Sequence, residues 1–114
     1  MKKIFVVTIV GVLLSGCVNP YMYRENQQPI ESFISTKSDQ EVAECILVAW
    51  QKEPLLTAIT TQKTGKYKSV LAAGDNADIY TESGVTKIDY YSLRGALDVM
   101  NGKKKRISGI KTCI

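Results

Sequence analysis

The apolar period of this chain changes once, at Pro54, and that change constrains the fold more than any other feature. Ahead of it, Val42, Cys45, Ile46, Ala49 and Trp50 fall at i, i+3, i+4, i+7 and i+8, a single helical stripe. Ser38-Asp39-Gln40-Glu41 opens the stripe as a capping box, in which Ser38 accepts from the Glu41 amide and Glu41 reaches back. Leu47 and Val48 widen the stripe, so this helix is expected to be covered on more than one side. Pro54 disfavours helical geometry at Glu53 and ends it. Beyond Pro54 the period is two. Segments 55–61, 67–73, 77–82 and 86–93 read as strands. Between them lie Lys63-Thr64-Gly65-Lys66, Gly74-Asp75-Asn76 and Glu82-Ser83-Gly84, each with a residue that accepts the positive φ of a tight turn.

The expected fold is therefore α+β: an N-terminal amphipathic helix packed on a four-stranded antiparallel meander, with a C-terminal helical segment. Leu93, Ala96, Leu97, Met100, Lys104 and Ile107 keep helical spacing and place that segment over 96–107, followed by an irregular tail. Gly95, Gly102 and Gly109 oppose one long helix, at about 1 kcal/mol each relative to Ala. Asn101-Gly102 is a point at which it can split, and a fifth strand ending at Cys113 is the alternative.

The amino terminus carries a different message. Lys2 and Lys3 precede an apolar run over residues 4–14, broken only by Thr8 and Gly11. Eleven helical residues reach roughly 16 Å, about half a bilayer core, so the run is too short to be a stable membrane-spanning helix. The order of basic, apolar and small residues is that of a secretory signal. Leu14-Ser15-Gly16-Cys17 closes the run, and these residues resemble the lipobox of a bacterial lipoprotein precursor. The resemblance covers the first 17 residues. It implies a diacylglyceryl thioether on Cys17, cleavage before it and acylation of the new amine, an anchor of several chains where one would be marginal. Val18, where an Asp would favour inner-membrane retention, implies sorting to the outer membrane with the domain facing the periplasm, cell-surface exposure being the other orientation.

The 114 residues divide accordingly into a signal peptide at 1–16, a lipidated flexible tether at 17–34 and a small domain at 35–114. The tether is broken by Pro20 and Pro29 and by polar residues, while Tyr21, Met22 and Tyr23 suit headgroups or a partner. Phe33 and Ile34 are expected to begin the domain as an apolar staple before the helix. With Cys17 lipidated, Cys45 and Cys113 remain, and two thiols in an exported domain read as one disulfide. A redox pair is disfavoured, because the two-residue spacing of thiol oxidoreductases is missing.

Catalytic chemistry is hard to find. The sequence contains no histidine, the usual general base and commonest metal ligand. Asp75-Asn76-Ala77-Asp78 lacks the length and acid count of a calcium loop, and no phosphate-binding glycine loop or nucleophile elbow occurs. No metal, cofactor or enzymatic activity is expected. Charge is uneven: residues 17–100 hold 8 cations against 11 acids, whereas 101–114 hold five cations and no acid. Lys103, Lys104, Lys105 and Arg106 are thus candidate contacts for an anionic envelope ligand. Tyr90 and Tyr91 are the second candidates, with one ring expected in the core and the other exposed, since strand neighbours face opposite ways. Nucleic acid is not an expected partner in that compartment. The sequence points to a non-enzymatic outer-membrane lipoprotein presenting a periplasmic protein-interaction domain, as an accessory part of an envelope assembly. The alternatives are an inhibitor or exclusion factor against a hydrolase or phage component, or a binder of an anionic ligand through the basic run.

Overall fold

A computed structural model describes Arg24 and residues 27–114. Among these residues the elements are β1 (Glu31–Ser35), α1 (Asp39–Lys52), β2 (Thr60–Thr64), β3 (Tyr67–Ala72), β4 (Asp75–Glu82), β5 (Val85–Ser92) and α2 (Gly102–Lys111). The architecture is α+β, with one antiparallel sheet of five strands in the order β1-β5-β4-β3-β2. The meander β2 to β5 is present. The additional strand is β1, ahead of the helix, inside the segment expected to be tether, and it pairs with β5 from Glu31↔Tyr90 to Ser35↔Thr86. A fifth strand does exist, but at the amino-terminal rather than the carboxyl-terminal side.

α1 forms as its residues dictate. The Glu41 amide donates to Ser38 Oγ at 3.1 Å, and Val42, Ala43, Ile46 and Trp50 are buried. They meet Val70, Ala77, Ile79, Ile88 and Tyr90 from the inner face of the sheet, with Ile110 and Cys113 closing the core. Burying a large aliphatic side chain contributes about 1.5–3 kcal/mol, so this single cluster carries the domain.

The starts of two expected elements shift. The first meander strand begins at Thr60 rather than residue 55, because Leu55 and Leu56 both take left-handed backbone conformations (φ 56° and 66°) that cannot continue a strand. The C-terminal helix runs from Gly102, not from 96. Asp98 accepts from the Gly102 and Lys103 amides at 2.8 and 2.9 Å, so the helix starts there, and Leu93, Leu97 and Val99 stay in an exposed loop. Gly109 then serves α2 rather than opposing it: a Cβ there would stand 3.0 Å from Trp50 Cδ1, so only glycine lets the two helices approach this closely.

The disulfide joins Cys45 to Cys113, with Cα atoms 5.7 Å apart and a sequence separation of 68. It ties the middle of α1 to the end of the chain. In the chain-entropy account a loop of this size is worth about 4 kcal/mol. The double variant Cys45→Ser/Cys113→Ser should therefore lose about 2–5 kcal/mol in urea denaturation. An unchanged midpoint would show that the packing of α2 on α1 suffices without the bond.

Candidate peptide-binding groove

β2 lies at one edge of the sheet, uncovered among the described residues, and α1 sits over β3 and β4 rather than over it. This leaves a groove of about 400 Å³, walled by Gln40, Ala43, Glu44 and Leu47 on α1 and floored by Thr61, Gln62 and Lys63 with Lys68 and Ser69 of β3. Leu47 gives it an apolar wall, while Glu44 and Lys63 bring one charge of each sign.

The wall is fixed at its start. Lys68 Nζ donates to Asp39 Oδ1 at 2.7 Å, and Thr81 Oγ1 donates to Asp39 Oδ2 at 3.0 Å. The Lys68 hydrogen bond holds the Asp39 carboxyl below its ordinary pKa of 3.8, with burial opposing the shift. The floor presents backbone. Gly65 and Lys66 form a two-residue loop that makes Thr64 and Tyr67 its closing pair. Alternation along the ladder then turns the Thr61 and Lys63 amides away from the sheet, while their side chains stay on the groove side. An uncovered edge strand beside a helix-walled groove can accept an extended peptide as a further strand: main-chain bonds supply affinity and the groove reads alternate side chains.

The residues singled out from sequence lie elsewhere. Arg106 is not a surface cation. It is 1% exposed, and its guanidinium donates from Nη1 to the Glu53 carbonyl at 2.8 Å and from Nη2 to the Pro54 carbonyl at 2.8 Å, closing the end of α1. It also lies 5.0 Å from the Trp50 ring centroid, and Trp50 Nε1 donates back to the Arg106 carbonyl. Burial disfavours its charge, and Asp75 offsets this. Lys105 pairs with Glu53 at 3.3 Å, Lys104 is exposed and Lys103 is half-exposed. The run is therefore three lysines on the surface and one arginine in the core.

Tyr90 and Tyr91 are both buried, which corrects the expectation that one ring is free. Tyr90 donates to Asp75 Oδ1 at 2.6 Å and meets Trp50 edge-on; burial first, then that bond, pushes its phenol pKa up. Tyr91 lies on the opposite face, where burial pushes its phenol up to about 12. That face is not bare, because Arg24 lies across it, donating to Asp78 at 2.7 Å and to Ser69 at 3.3 Å and stacking 4.2 Å from the Tyr67 centroid. The expected tether thus contributes Arg24 and most of β1 to the folded body. Cys17, the signal segment and Tyr21 to Tyr23 lie outside the described residues.

Among the described residues no group of three His, Cys, Asp or Glu side chains is placed to hold a metal, and no helix is long and apolar enough to cross a membrane. In comparison with known proteins, no family model matches the chain, and no curated protein or solved structure shows significant similarity to it. The groove was missed from sequence, although a signal for it exists. Thr-Thr-Gln-Lys-Thr is polar at both alternations, the mark of a strand covered on neither face.

Above pH 3.8 the lowered Asp39 pKa stabilises the native state, and this contribution disappears as pH falls through the native value. Asp39→Asn should thus lower stability by about 0.5–1 kcal/mol at pH 7, with the difference from the parent vanishing as pH falls through the lowered native pKa of Asp39. Thermal melts across that range test it; a constant difference would mean that the Asp39 charge is immaterial.

Proposed function

We propose that this chain is a non-enzymatic lipoprotein, anchored in the outer membrane through lipid on Cys17, whose periplasmic domain binds a partner envelope protein. The partner enters as an extended segment that adds to β2. The observation that carries the reading is the uncovered edge strand with its groove against α1. Leu14-Ser15-Gly16-Cys17 supports the anchor, and the Cys45–Cys113 bond fits an oxidising compartment. Three carboxylates are engaged in structure: Asp75 by Tyr90, Ser92 and Arg94, Asp78 by Arg24 and Ser69, Asp89 by Ser32 and Tyr80. Such groups hold strands together rather than wait in an open cleft.

Two measurements test the two halves. Labelled palmitate should enter the wild-type chain in its native membranes and not the Cys17→Ser variant; equal labelling would refute the anchor. A photo-crosslinking residue at Lys63 should yield a discrete adduct that Thr61→Pro abolishes, because proline removes an amide facing away from the sheet and leaves the ladder to β3 intact. The same residue at Lys111 should give no such adduct. Identical adducts from both positions, or insensitivity to Thr61→Pro, would refute strand addition.

A further inference from the structure

One end of the sheet gathers apolar side chains that the core does not use. The starts of β1, β2 and β4 and the ends of β3 and β5 all lie there. From this end Leu93 projects with 70% of its surface exposed, and Leu97, Val99 and Leu56 with 92% each. These side chains are held out by structure. The Leu93 amide donates to the Gly74 carbonyl at 2.7 Å; Arg94 Nε donates to the buried Asp75 at 2.8 Å and its Nη1 reaches Asp98 at 3.4 Å. Asp98 in turn caps α2, so both ends of the loop at 93–101 are fastened. Leu56 sits in the left-handed region beside Leu55, a conformation that side chains other than glycine rarely adopt, immediately after the carbonyls of Glu53 and Pro54 that Arg106 clamps.

We infer that this end is a membrane-docking tip, in which Leu56, Leu93, Leu97 and Val99 enter the interface of an anionic bilayer and Lys103 and Lys104 meet its headgroups. Three observations favour lipid over protein. The side chains stand on protrusions, which suits insertion into a deformable interface, whereas protein partners seat such anchors in shaped pockets. The nearby acids are largely answered: Asp98 by the α2 amides and Arg94, and Glu53 by Lys105, with Glu31 on the edge strand. Finally, Arg24 crosses the outer face and the chain then reaches β1 at this same end, where the Ile30 amide donates to the Tyr90 carbonyl. With Cys17 as anchor, the seven steps from Cys17 to Arg24 span at most about 25 Å, which holds the domain close to the bilayer. That last point rests on the lipid-anchor reading; the tip itself does not.

The full chain, purified from membranes and reconstituted in vesicles of mixed phosphatidylcholine and phosphatidylglycerol, carries a single tryptophan, Trp50, buried in the core. In Leu97→Trp the new indole should be quenched by brominated lipid at least about twofold more than in Val85→Trp, which reports on the opposite end of the sheet. Lys103→Gln and Lys104→Gln should each weaken the docked state roughly fivefold. Raising salt should act in the same direction. Equal quenching at the two positions would overturn the tip. So would protection of position 97 in native envelopes without quenching in vesicles, since that pattern assigns the surface to a protein. Intact mass on the same sample reports lipid at Cys17 separately. A chain without lipid that still inserts position 97 supports the tip and refutes the anchor; one that neither carries lipid nor inserts refutes both.

Discussion

Arg106 is the side chain around which the rest of the domain is arranged. A guanidinium inside so small a body is costly unless its donors are answered and its charge is opposed. Here the carbonyls of Glu53 and Pro54 answer two nitrogens, and Asp75, 3.7 Å from Nε, opposes the charge. Among the described residues Nε itself has no hydrogen-bond partner. Asp75 is also held by Tyr90, Ser92 and Arg94, and Arg94 leads to Asp98 and the first turn of α2. Two arginines converging on one buried carboxylate thereby connect the end of α1, the start of α2, the sheet and the exposed loop. The disulfide fastens α1 to the segment just after α2.

This arrangement divides the surface by task. The helices cover β3 to β5 and leave β2 open, which creates the groove. The arginine cluster occupies one end of the sheet and fixes the loops there in conformations that expose leucine and valine. On the outer face Arg24 lies over Asp78 and Tyr67.

What sequence disclosed follows from where its signals are local. α1 was legible because the Ser38 cap, the apolar stripe and Pro54 all lie within one stretch of chain. The three hairpin turns were legible because Gly65, Gly74 and Ser83-Gly84 take the positive φ that such turns require. β1 was not, because its partner β5 lies over fifty residues away and, at the sheet edge, only Ser35 is buried. α2 was misplaced because Leu93, Leu97 and Met100 share a helical spacing that packing does not use. Its buried positions are Gly102, Arg106 and Ile110, none of which but Ile110 looks like core. A buried arginine in a basic run is indistinguishable from its exposed neighbours until the carbonyls it meets are in place. The exposed tip was hidden for the same reason, since leucines read from sequence are assigned to a core.

Amide hydrogen exchange on the Asp75→Asn variant tests the central role of the arginine cluster most directly. The substitution keeps the side chain's shape and removes the charge that Arg94 and Arg106 share. Loss of protection in residues 93–101 and in the first turn of α2 together, with the β2–β3 hairpin as protected as in the parent, is the expected result. Protection of that loop and of α2 unchanged by the substitution would contradict it.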